Sequence, residues 1–265
     1  MAAESKLRTL HQAIENACLA LPETSVSEGH GMPNYKVRGK VFATWSLNHH
    51  GDGIAALWLK LPGDSRDSCL LSDPEDYFVP PYVGPRGWLG MRLNEVPEAG
   101  LTWRSVCARI YEAYRHMAPA GLAASVDGLA DIAPPTRAML PEEIDPWLAP
   151  AARALLAAVA DLTSQWPEVT ETRHFGAPAF KAGKKTFCTV HWRSPPSINF
   201  WVGADQQVLL TLDPRFRIPA YTGVNGWIAH DLADPTDLGG VETLLLDSYR
   251  HFALKRMLKA LDGAS

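Results

Sequence analysis

The sequence predicts an α+β chain made of two tandem copies of one α-β-β-β-α-β-α unit, packed as a pseudo-dimer. Three observations carry that expectation. First, Tyr82-Val83-Gly84-Pro85-Arg86-Gly87-Trp88 and Tyr221-Thr222-Gly223-Val224-Asn225-Gly226-Trp227 share the pattern Y-x-G-x-x-G-W. Second, the flanks repeat in the same order. Pro22-Glu23 answers Pro167-Glu168, and Gly31, Pro33, Lys36, Lys40 and Phe42 answer Gly176, Pro178, Lys181, Lys185 and Phe187. Asp73-Pro74 answers Asp213-Pro214, and Tyr114-Arg115-His116 answers Tyr249-Arg250-His251. The offset slips from 145 through 139 to 135 along the chain, as small loop deletions in the second copy produce. Third, each copy passes from a helical period into short β-like runs and back.

The expected domains are residues 1–119 and 146–265, joined by an Ala/Pro-rich acidic linker over 120–145 that Pro134-Pro135 stiffens. In the first copy, Leu7, Leu10, Ile14, Ala17 and Leu21 recur at helical spacing, predicting a helix over 5–20. A Ser/Glu/Gly/His loop from Ser25 to Gly31 follows, then strands over 35–38, 40–47 and 54–61. Asn48 to Gly53 is the hairpin loop between the last two. Ser72-Asp73-Pro74-Glu75 has the form of a helix start, so a short helix is expected through Phe78. A strand over 88–93 and a helix over 102–117, capped by Thr102, close the unit. The second copy predicts a helix over 146–165, strands near 179–182, 185–192, 197–203 and 227–232, a short helix from Asp213-Pro214, and a helix over 240–260. Its hairpin loop shrinks to Arg193–Ser197 and lacks histidine.

Hydrophobic residues at 46% and charged residues at 20% describe a globular chain, with no stretch near the ~20 apolar residues that span a bilayer. No membrane partner is expected, and the four scattered cysteines point to reduced thiols in the cytoplasm. Residues 1–120 carry 12 basic and 13 acidic groups, and residues 151–265 carry 12 and 11, so the linker supplies the net −4. Proteins that depend on neutralising phosphates usually show a basic excess on the domain concerned, and neither half does.

Two signatures carry a family resemblance. His174-Phe-Gly-Ala-Pro-Ala-Phe-Lys181 with Gly183-Lys-Lys-Thr-Phe187 matches in the second copy, and Lys36-Val-Arg-Gly-Lys-Val-Phe-Ala43 matches in the first. With His49-His-Gly-Asp-Gly53, Ala56-Leu-Trp-Leu-Lys60 and Tyr77 to Trp88, the chain resembles MmcQ/YjbR-like proteins over nearly the full length of each half. The resemblance implies a curved antiparallel sheet flanked by helices, a "double wing", and the DNA-binding label such proteins commonly bear. That label rests on fold analogy, and fold does not set function.

Catalytic motifs are missing from the sequence: no G-x-S-x-G elbow, no phosphate-cradling Gly loop ahead of a helix, no helical His pair at metal-ligand spacing. A non-enzymatic binding protein without cofactor or metal is therefore expected. His49-His50-Gly51-Asp52 reads as a solvated hairpin tip rather than a metal site, because neighbouring strand residues face opposite ways. Nine tryptophans are the more suggestive feature: they can be core, or they can line a pocket or stack on bases. The candidate binding residues are Asn34, Lys36, Lys40, Trp45, Tyr82, Arg86 and Trp88 in the first copy. Lys181, Lys185, Trp192, Tyr221, Asn225 and Trp227 are those of the second. The ligand is DNA, as the resemblance implies, or a small planar aromatic molecule held in or between the copies, including a toxic metabolite sequestered for resistance. The protein is expected as a monomer with internal pseudo-twofold symmetry or as a homodimer.

Overall fold

The computed structural model describes residues 8–126, 128, 131–174, 176–192, 194–234 and 237–263. The start of the first predicted helix (5–7), Phe175 of the signature and Arg193 of the shortened hairpin loop lie outside the described residues. The chain divides into two units, 1–144 and 145–265.

The first unit opens with helix α1 (Leu10–Leu19), which Thr9 and Gln12 start with a reciprocal capping box. Strands β1 (Thr24–Gly29), β2 (Met32–Val37), β3 (Lys40–Leu47) and β4 (Ala55–Lys60) follow. Next come helix α2 (Gly63–Ser72), the two-residue strand β5 (Tyr77–Phe78), strand β6 (Trp88–Arg92) and helix α3 (Trp103–Met117). The sheet is antiparallel with the order β1-β2-β3-β4-β6-β5. Period-two alternation sends Tyr35, Ala43, Trp45, Leu57, Leu59, Leu89 and Met91 into one core with the apolar stripes of α1 and α3. The other face carries one row across the sheet: Asn34, Thr44, Trp58 and Gly90 stand opposite one another in register, with Phe78 at its end.

The second unit repeats this plan. Helix α6 (Pro150–Thr163) precedes strands β7 (Val169–His174), β8 (Ala177–Ala182), β9 (Lys185–His191) and β10 (Ser197–Trp201). Helix α7 (Ala204–Leu210), strands β11 (Phe216–Arg217) and β12 (Trp227–Asp231), and helices α8 (Glu242–Phe252) and α9 (Lys255–Gly263) complete it. The sheet order β11-β12-β10-β9-β8-β7 is the same order read from the other edge. Even the β-bulge recurs, between Tyr35 and Lys36 in one copy and Phe180 and Lys181 in the other.

The repeated Tyr-Arg-His has a structural cause. Tyr114 Oη donates to the carbonyl of Pro22 at 3.0 Å, and Tyr249 Oη to that of Pro167 at 2.7 Å. Each phenol also stands edge-on to a buried ring, Phe42 at 5.9 Å and Phe187 at 5.5 Å. The closing helix is thereby tied to the chain that leaves the opening helix.

The structure departs from expectation in four places. Residues 25–29 are strand β1, not loop: the polar sequence Ser-Val-Ser-Glu-Gly makes an edge strand whose turn is made by His30 and Gly31, both at positive φ. Asp73-Pro74 and Asp213-Pro214 each follow a helix, Gly63–Ser72 and Ala204–Leu210, instead of starting one. A residue before proline is pushed out of the helical region, and Asp73 sits at φ −136°, ψ 65°. The helix over 240–260 is two helices, broken where Ala253 turns extended. Residues 120–144, expected as a linker, hold helices α4 (Ala120–Ala124) and α5 (Pro141–Ile144) and belong with the first unit. Ile144 is buried in its core, and Trp103 Nε1 donates to the Ile132 carbonyl at 2.7 Å. No helix among the described residues is long and apolar enough to cross a membrane.

Replacing Tyr249 with Phe strands the Pro167 carbonyl, so it is expected to cost about 1–2 kcal/mol. Urea unfolding of Tyr249→Phe and Tyr114→Phe measures this, and midpoints equal to the parent's would show that the tie carries no stability.

Candidate functional site

The site is best built from the repeated loop. Gly84 N donates to the Pro80 carbonyl at 2.9 Å and Gly223 N to the Pro219 carbonyl at 3.0 Å, and the bonds from Gly87 N to Gly84 O at 2.9 Å and from Gly226 N to Gly223 O at 3.0 Å then make each loop a short 3-10 turn. A Cβ on Gly84 would overlap Val79 Cγ1, and one on Gly223 would overlap Ile218 Cγ2. Gly87 and Gly226 both sit at φ 81°, where a side chain is strained. The tryptophan that follows starts the next strand, and a side chain from the preceding short helix holds its carbonyl. Arg66 Nε reaches Trp88 O at 3.3 Å, and Gln207 Nε2 reaches Trp227 O at 2.6 Å. Lys60 adds a hydrogen bond to the Arg86 carbonyl.

Glycines and tryptophan thus serve the backbone. The tyrosine does not. Tyr82 and Tyr221 take left-handed φ of 62° and 66°, an uncommon place for a bulky residue, and they present rings that are 71% and 96% exposed.

In the first unit the exposed ring has partners. Tyr82 Oη shares a hydrogen bond of 3.2 Å with His50 Nε2. The His49 ring lies 4.1 Å from that of His50, 5.1 Å from that of Trp58 and 6.0 Å from that of Tyr82. Two loops from opposite ends of the sheet therefore meet above Trp58. Asn48 and His50, at φ 49° and 56°, turn the hairpin back over the sheet so that both imidazoles face the same cluster. The hairpin tip was expected to be solvated; His49 is half-buried. Two ring nitrogens in the cluster, His49 Nε2 and Trp58 Nε1, are buried without a hydrogen-bond partner. Such atoms are rare and ask for an explanation. Beside them Thr44 Oγ1 donates to Asn34 Oδ1 at 2.6 Å.

The other expected residues scatter. Trp45 is core, stacked on His11 at 5.4 Å. Lys36 and Lys181 stand half-buried at the paired bulges, while Lys40 and Lys185 are exposed at the hairpin that starts β3 and β9. Arg86 is exposed in the loop, and Trp88 is half-buried opposite Lys60. In the second unit Asn225 is exposed, Trp192 packs on the core, and Trp227 lies 5.9 Å from Phe252. The row matching Trp58 holds Ala179, Thr189, Asn199 and Ala229, so the second sheet lacks the aromatic cluster. Among the described residues eight arginines pair with carboxylates. Among the described residues no group of three metal-ligating side chains occurs.

His49, His50 and Trp58 were absent from the expected site. The available signal was the hairpin itself: Asn48, Gly51 and Gly53 permit left-handed backbone, which frees adjacent histidines from strand alternation.

The YjbR family matches residues 19–116 and 164–251, well over half of the chain and once in each unit. Among curated proteins, none matches. The crystal structure of Deinococcus radiodurans protein DR2400, described by the domain DUF419, is similar at 12% identity and a TM-score of 0.35, covering 43% of this chain and 81% of its own.

Burial, then the neighbouring His50, lowers the His49 pKa below its ordinary 6.5, while Asp52 opposes them. As pH falls through 6.5 the unfolded chain takes a proton that folded His49 refuses, so acid removes stability down to the folded pKa. Between about pH 7 and about pH 5 the parent should lose more stability than His49→Phe, read by urea unfolding at both values. Equal losses would place His49 in solvent instead.

Proposed function

The chain belongs to the YjbR family, and on that premise we propose that it is a binding protein without catalytic chemistry, whose first unit holds a planar aromatic small molecule against Trp58 and Tyr82. The observation that carries this reading is the pair of buried, partnerless nitrogens, His49 Nε2 and Trp58 Nε1, inside one ring cluster. A flat heterocycle with a hydrogen-bonding edge would meet both and stack on the rings. Tyr82 stands beside them, exposed and at a positive φ.

DNA is the other occupant that the family resemblance implies. The near-neutral units and the eight committed arginines argue for a ligand that does not depend on phosphate neutralisation.

Tryptophan emission titrated with phenazine tests the proposal. Saturable quenching that is insensitive to salt is expected, and Tyr82→Ala should weaken it by about two- to tenfold, the worth of one aromatic contact. Labelled duplex DNA is the companion probe. Anisotropy that rises on binding and collapses with added salt, together with no saturable quenching, would overturn the reading in favour of DNA.

A further inference from the structure

A cavity of about 500 Å³ lies in the second unit, walled by Leu209, Leu210, Leu212, Phe216 and Leu244, with His230 among its lining residues. It shares no residue with the ring cluster of the first unit. Leu212, 82% exposed, and Leu209 form an apolar mouth. Gly239 and Gly240 line it too, and a Cβ on Gly240 would meet nothing within 4 Å.

His230 is the unexplained group here. It is 5% exposed, its ring lies 4.7 Å from that of Phe216, and its Nδ1 has no hydrogen-bond partner. The first unit shows that the fold does not need an imidazole. There Met91 pairs with Leu57 and Tyr77 as His230 pairs with Ile198 and Phe216, and Met91 is fully buried and apolar.

Both arginines near His230 are held by carboxylates. Arg215 is held bidentate by Asp213, with contacts of 2.7 to 3.2 Å, and Arg217 by Asp231 at 2.9 Å. Asp237 Oδ1 accepts from Gly239 N at 2.9 Å. Among the described residues that line the cavity no uncommitted cation is left to recognise an acid head group, whereas a neutral imidazole can exchange one hydrogen bond with a hydroxyl. Burial and Arg215 both lower the His230 pKa and keep the ring neutral, against the opposing pull of Asp213, Asp231 and Asp237.

We propose that this cavity is a second binding site, for an uncharged amphiphile of the alkylphenol class. Its alkyl part lies among Leu209, Leu210, Leu212 and Leu244, and its hydroxyl pairs with His230 Nδ1. The leucines supply apolar area, and the single hydrogen bond sets orientation and selects for the hydroxyl.

The test is calorimetric titration of the full chain with para-propylphenol and with propylbenzene, which lacks only the hydroxyl. The phenol should bind at least about fivefold more tightly, the range of one net hydrogen bond. In His230→Met, the residue of the first unit, that preference should vanish. Leu212→Trp, at an exposed position, should block both ligands. The ¹⁵N shift of the His230 ring should move when the phenol is added, which reads the contact even where a variant folds poorly. No phenol binding, an unmoved imidazole shift, or a preference that survives in His230→Met would overturn the proposal.

Discussion

The close approach of Gly84 to Val79, and of Gly223 to Ile218, is the contact on which the rest of each unit's surface chemistry depends. Removing the side chain at that one position lets the loop fold onto the residues just after β5 or β11. A turn that tight delivers the tryptophan into β6 or β12 in register, and the tyrosine before it is exposed in both copies. Both copies obey it. The loop pattern is therefore preserved by sterics, and the exposed phenol is its by-product or its purpose.

What the copies do with that phenol differs. In the first, a long hairpin loop with two histidines arches back to meet it above Trp58. In the second, the hairpin is shorter, Asn199 stands where Trp58 stands, and Tyr221 points into solvent. The second copy instead places His230 beside a cavity where the first has Met91. Duplication kept the ties that hold helices to sheet, and it let the polar groups on each frame diverge.

The fold was largely legible because its evidence is local or repeated. Helical spacing of Leu10, Ile14 and Ala17, alternation along β3 and β4, and the ordered matches between halves each survive without tertiary context. The failures share a cause. Helix α2, Gly-Asp-Ser-Arg-Asp-Ser-Cys-Leu-Leu-Ser, buries only Cys69 and so shows almost no apolar stripe, and Asp73-Pro74 drew the helix to the wrong side of itself. Strand β1 is polar because it is an edge, and edge strands escape the alternation rule. The segment after residue 119 reads as linker because Ala and Pro dominate it, yet Ile132, Met139 and Ile144 find the first core.

By itself the sequence determined the duplication, the α+β class and the two loops that end in tryptophan, since repeats, periodicity and glycine requirements are written in neighbouring residues. Only the tertiary structure decided which aromatic rings meet. Strand register puts Thr44 beside Trp58, and left-handed backbone at Asn48 and His50 carries two imidazoles over it. Packing likewise decided that His230 Nδ1 is buried without a hydrogen-bond partner. Those outcomes depend on residues tens of positions apart, held by geometry that no spacing rule records.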